Sequence, residues 1–188
     1  MEFGVDPIEE SQSAPSCICY MNNFPKEFRL YLCDWLAAHG KINTPDCKDS
    51  KKSSVHLPLY HIFDRFGSKY DEDVALHYLS CGAIPNAKGI TRDAIFAEAC
   101  SVASIEVLDK MLQCGADINE VSMSGDSGLW CAIWDKASID KIRFLVEHGA
   151  AINYYKPSGI TYSYGYLTFF AYFMYDAAFE SRRGRQKA

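Results

Sequence analysis

Cys114-Gly115-Ala116-Asp117-Ile118-Asn119 is one of three near-copies of a single phrase. The others are Cys81-Gly82-Ala83-Ile84-Pro85-Asn86 and His148-Gly149-Ala150-Ala151-Ile152-Asn153. A weaker relative, His39-Gly40-Lys41-Ile42-Asn43, stands upstream. Counted from glycine to glycine, the last two steps are 33 and 34 residues. A fixed period of that size marks a chain built from stacked repeats, and it moves expectation from catalysis towards surface recognition.

Working outward from each phrase, an apolar stretch with helical spacing precedes it. Ile105, Leu108, Met111 and Leu112 form one stripe, and Ile139, Ile142, Leu145 and Val146 repeat it with the same offsets. Both stripes open with Ala-Ser-Ile and an acid, Glu106 or Asp140. A second short apolar segment lies upstream of each, at 94–100 and 128–134. The unit is therefore helix, tight turn, helix, then a glycine placed to end the second helix, because no Cβ opposes a left-handed backbone there. Such a unit cannot bury both faces alone and must stack on a neighbour.

These features resemble the ankyrin repeat, in which Thr-Pro-Leu-His opens the first helix and Leu-Leu-x-x-Gly-Ala-Asp-x-Asn closes the second. The closing match is carried by residues 112–119 and 145–153, and Leu57-Pro58-Leu59-Tyr60 is similar to the opening. The likeness covers roughly residues 26–160. The third and fourth units depart from it, reading Ala94-Ile95-Phe96-Ala97 and Gly128-Leu129-Trp130-Cys131 at the opening. The family's paired small residues become Ala99-Cys100 and, in the fourth unit, Ile133-Trp134. The resemblance implies an all-α solenoid of four to five helix-turn-helix repeats with short hairpin loops. It also implies a protein-interaction module or adaptor that grips its partner with hairpin fingers and the concave helix face.

Composition sets the outer bounds. The chain has 188 residues, 48% of them hydrophobic, which is material for a single core. A net charge of −5 argues against nucleic acid and anionic membranes. No apolar run reaches the ~18 residues that a spanning helix requires. The acidic, polar start does not read as a targeting peptide, so the expected location is intracellular, cytoplasmic or nuclear. Cys81 and Cys114 occupy equivalent slots in adjacent units, where stacked helices ~8–10 Å apart exceed the ~7 Å that a disulfide tolerates. Cys100 and Cys131 fall in apolar helix stretches and read as small hydrophobes. The one-residue spacing of Cys17 and Cys19 is not that of a zinc or redox motif. Neither a metal nor a cofactor is expected.

The chain divides into a loose arm (1–23), one repeat domain (24–180) and a basic tail (181–188). The domain's units are approximately 24–45, 55–88, 89–121, 122–155 and a terminal cap at 156–180. Phe28, Leu32, Trp35 and Leu36 predict an amphipathic helix ending at Gly40. A polar interruption at 46–54 explains the longer first glycine step, and a link between helices is expected at 67–73 in the second unit. Ten Tyr and Phe crowd residues 154–175. That segment either folds back as an aromatic cap or presents a docking or homodimer surface.

For chemistry, there is no nucleophile elbow, His-Glu-x-x-His helix or phosphate loop. The repeat glycines, and Gly125, Gly128 and Gly159 with them, read as caps or turns. His39 and His148 precede helix-ending glycines and read as structural. Carried over by position, the fingers are 86–90, 120–126 and 154–159, and the groove positions are Glu98, Ser101 and Val102, then Ala132, Asp135 and Lys136. The resemblance thus assigns partner contact to Asn86, Lys88, Glu98, Ser101, Glu120, Met123, Asp126, Asp135, Lys136, Tyr154, Tyr155 and Lys156. An alternative reading makes a small-molecule pocket of Trp130 and Trp134 with Tyr162, Tyr164 and Tyr166. Asp126, Asp135 and His61 would then be acid-base groups of a cofactor-independent isomerase or cyclase, because desolvation beside aromatics raises a carboxyl pKa. The Trp pair equally reads as core.

Overall fold

Local sequence sets where each helix starts and stops. A computed structural model describes residues 24–45, 57–63, 70–86, 94–122 and 125–153. These contain seven helices, α1 (Lys26–Ala38), α2 (Pro58–Phe63), α3 (Glu72–Ser80), α4 (Ile95–Val102), α5 (Ile105–Gln113), α6 (Gly128–Trp134) and α7 (Ile139–Glu147). The described residues are all-α apart from one isolated antiparallel bridge, Val121 to Ser127. No helix among them is long and apolar enough to cross a membrane.

Asp71, Ser104, Ser127 and Ser138 cap α3, α5, α6 and α7, each accepting a backbone N–H from three residues on. This satisfies one of the donors that a helix start leaves unpaired. The Ala-Ser-Ile-acid opening shared by α5 and α7 is thus a cap followed by a carboxylate where the helix dipole favours one. In α2 the first helical residue is Pro58, which has no N–H to satisfy. At the other end, Gly40, Gly82, Gly115 and Gly149 take φ values of +67°, +92°, +89° and +96°. The residue after each glycine donates back into the helix, Ala116 to the Met111 carbonyl and Ala150 to that of Leu145, as in a Schellman closure.

The helices pair as α2–α3, α4–α5 and α6–α7. Along the stack α4 lies against both α2 and α6, and α3 against both α1 and α5. The core runs through these contacts, with Phe63, Tyr78, Phe96, Leu108, Met111 and Leu145 among its largest buried side chains. Adjacent units are also tied by a ladder of asparagines. Asn43 donates to the Gly82 carbonyl and accepts from the Ile84 N–H. Asn86 does the same to Gly115 and Asp117, and Asn119 to Gly149 and Ala151. The repeated phrase therefore carries both halves of a joint: a glycine loop that receives the previous unit's amide, and an asparagine that reaches the next loop.

Four expectations are corrected. In α1 the buried face is Arg29, Cys33 and Leu36, with Phe28 exposed and Leu32 and Trp35 half-buried. Arg29 turns inward to meet Asp71 at 2.9 Å, and the half-buried Trp35 ring packs against the core and stacks on His39, with Lys41 over it. The link expected to reach residue 73 stops earlier, since Asp71 is already a cap and Glu72 already helical. Gly128 is not a cap or turn but the first residue of α6. A Cβ there would stand 2.8 Å from Cys100 Sγ and 3.3 Å from Phe96, so glycine permits α6 to approach α4. Finally, the caps Ala94 and Ser127 set the register between α4 and α6, 33 residues apart. The counterpart of Ala99-Cys100 is Ala132-Ile133, not Ile133-Trp134. Ala99 and Ala132 are both fully buried, and Trp134 falls one position later, on the outside.

Candidate interaction surface

The loop at 120–126 closes as a small hairpin. Val121 bridges to Ser127, the Ser122 N–H donates to the Asp126 carbonyl at 3.0 Å, and the Gly125 N–H donates to Ser122 O at 2.9 Å. The Asp126 N–H reaches Ser122 Oγ at 3.1 Å. Gly125 sits at φ +74°, where the chain reverses. The returning strand ends on Ser127, which is also the cap of α6. Finger and helix are thereby joined without slack, and Val121 stays exposed at the base of the finger.

On α6, Trp130 and Trp134 are one helical turn apart and stack with ring centroids 6.5 Å apart and planes 22° from parallel. Trp130 is half-buried and Trp134 is 54% exposed. The pair is therefore a surface feature and not core, a result of the register that places Ala132 inward. Asp135 and Lys136 follow and are exposed. Lys136 takes φ +56°, and the Ala137 N–H donates to the Ala132 carbonyl, so a lysine closes α6 in the conformation that glycine adopts elsewhere.

The remaining expected contact residues fall differently. Glu98 and Ser101 on α4 are half-buried, with the Ser101 hydroxyl oxygen turned inside. Ala132 is fully buried and offers no contact surface. The Asn86 amide belongs to the inter-unit ladder. Glu120 is half-buried at the finger's start, and Asp126 is half-buried at its end. Lys88, Met123, Tyr154, Tyr155, Lys156, Tyr162, Tyr164 and Tyr166 lie outside the described residues, as do the terminal cap, the arm and the basic tail.

The catalytic alternative needs His61 beside Asp126 and Asp135. His61 is buried on α2, edge-on to the Tyr60 ring. The two aspartates flank α6, and α4 packs between α2 and α6. The three groups are not brought together. Burial pushes the Cys100 thiol far up, which removes it as a nucleophile. Lys141 reaches from α7 to the Cys100 carbonyl at 3.3 Å, and desolvation holds its ammonium below the usual lysine range. His39 and His148 each donate from Nδ1 to the carbonyl four residues back, at 2.7 Å, and lie against the aromatic ring there. They finish helix ends, as their position before glycine predicts.

One convergence is absent from the sequence reading. Asp34 on α1 meets His77 and Cys81 of α3, and the donor atoms of all three lie within 4.8 Å of one another. The signal was the i, i+4 spacing of His77 and Cys81, hidden because Cys81 reads, like Cys114, as a residue of the repeated phrase.

No protein-family model matches the sequence, and no curated protein matches it either.

Proposed function

We propose that the chain is an ankyrin-like solenoid of four to five units whose work is to bind a protein partner. The contact surface runs from the finger at 120–126 onto the exposed face of α6. The observation that carries the reading is the stacked Trp130–Trp134 pair, on the surface of the helix into which the finger feeds. An exposed tryptophan on a rigid frame suits an interface anchor, since tryptophan is enriched among the few residues that dominate binding energy. Rigidity helps because little side-chain and loop freedom is lost when the partner docks. Asp135 and Lys136, both exposed, follow the pair with one charge of each sign. A complementary partner presents an apolar anchor for the indole faces.

The test compares wild type with Trp134→Ala in quantitative capture from the source cells, with Ile139→Ala as an exposed control on α7. Truncating an anchor of this kind weakens binding by about 2 kcal/mol, some thirtyfold, and an exposed position leaves thermal stability unchanged. Equal recovery of the same partner by both chains removes α6 from the contact surface. A thermal shift of wild type by apolar small molecules, absent in Trp134→Ala, would replace the protein partner with a small ligand.

A further inference from the structure

Asp34, His77 and Cys81 join the first described unit to the second. His77 and Cys81 are one turn apart near the end of α3, and so project from the same side of that helix. Asp34 comes from α1 of the preceding unit. A single carboxylate oxygen of Asp34 receives both of them: His77 Nε2 at 2.7 Å and Cys81 Sγ at 3.6 Å. Three different donor types therefore aim at one point from two separate elements. Asp34 is exposed, while His77 and Cys81 are half-buried, so a small ion can reach that point from solvent.

The geometry points to a zinc-class divalent cation site formed by Asp34, His77 and Cys81, with the fourth position open to water. The donor set is thiolate, imidazole and carboxylate, which suits Zn²⁺ and disfavours the hard cations Mg²⁺ and Ca²⁺. Tetrahedral zinc, with Zn–N and Zn–O of about 2.0 Å and Zn–S of about 2.3 Å, holds its donor atoms roughly 3.3–3.5 Å apart. The sulfur is already near that separation from the carboxylate oxygen, the imidazole nitrogen has to retreat from that oxygen by about 0.6 Å, and the nitrogen and sulfur lie within 4.8 Å of each other. On binding, the Cys81 thiol gives its proton to solvent and the sulfur donates to the metal. His77 coordinates through neutral Nε2, and the hydrogen bonds to Asp34 are exchanged for metal bonds.

The repeats supply an internal control. Counting back from the closing glycines, the positions of Asp34, His77 and Cys81 correspond at the next boundary to Leu76, Lys110 and Cys114. At the boundary after that they correspond to Asp109, Phe144 and His148. Each of those boundaries lacks at least one ligand. Only the first boundary has all three, so a structural requirement of stacking does not account for the cluster. A metal held there clamps α1 to α3.

The experiment titrates the full-length chain, kept reduced, with Co²⁺, followed by displacement with Zn²⁺. The expected result is the near-ultraviolet thiolate-to-cobalt band with the visible bands of a tetrahedral ion, both lost in Cys81→Ser and His77→Ala and retained in Cys114→Ser. Asp34→Asn binds Co²⁺ at least tenfold more weakly. Zn²⁺ raises the melting temperature of wild type and Cys114→Ser but not of His77→Ala. Circular dichroism confirms that each variant folds, and His77→Gln replaces any that does not. Absence of a thiolate band, its survival in Cys81→Ser, or its loss on changing Cys17 and Cys19 together to Ser overturns the assignment.

Discussion

Helices α5 and α7 are nearly the same object in different places. Each has nine residues, a serine cap, an acid in the first turn and a left-handed glycine beyond its end. The stripe positions Ile105, Leu108, Met111 and Leu112 match Ile139, Ile142, Leu145 and Val146, while Lys141 stands where α5 has Val107 and Phe144 where it has Lys110, and burial differs along the shared stripe. In α5, Val107, Leu108 and Met111 are all fully buried. In α7 only Leu145 is, while Ile142 is half-buried and Ile139 is 69% exposed. Among the described residues, α5 is covered by α4 of its own unit and by α3 of the unit before, whereas α7 meets chiefly α6. What an apolar side chain contributes here is thus decided less by its own helix than by how many neighbours the stack gives that helix.

This comparison is open to direct attack. The largest effect is expected from Leu108→Ala, which should lower unfolding free energy by about 3 kcal/mol in urea titration, as buried leucine truncations do. The matching Ile142→Ala should lose about 1 kcal/mol or less, because half-buried side chains surrender less contact. Equal losses would mean that α7 is as well covered as α5, and the contrast would fall. Gly128→Ala comes next. Its methyl meets Cys100 Sγ and the Phe96 ring across the α4–α6 contact, and overpacking of that kind costs about 2 kcal/mol. Pairing it with Cys100→Ala, which removes the obstructing sulfur, should recover part of the loss and so locate the strain. The smallest effect is a gain: Lys136→Gly relieves a left-handed lysine at the end of α6 and should add about 1 kcal/mol. No gain in melting temperature would show that the lysine side chain makes a compensating contact.

Much of this architecture was legible because repetition makes its own evidence. Three glycines at one spacing identified three helix ends, and all took the left-handed conformation expected of them. Equal stripe offsets in α5 and α7 located both helices, although the pattern could not reveal how differently the two would be buried. Burial is a property of neighbours, and a stripe reports only its own helix. The face of α1 was misread for a related reason. Phe28 looks like core but is exposed, while Arg29 turns inward to Asp71, forty-two residues away. The one-residue register error in the fourth unit came from matching Gly128 to a family opening when Ser127 is the cap. The Asp34–His77–Cys81 convergence spans a unit boundary, and no local pattern announces which side chains will face one another across it.

The asparagine ladder has a consequence for how such a chain can change. Every described rung runs in one direction, from the asparagine near a unit's end to the loop of its successor, and each interior unit offers both ends of the joint. A whole unit of 33 or 34 residues can therefore be duplicated or deleted and the flanking units still find each other's amide and loop. An insertion of any other length within the unit has to be looped out or leave a rung broken. Length in this protein is, in effect, counted in whole steps, and its spacing rule is written in the chain.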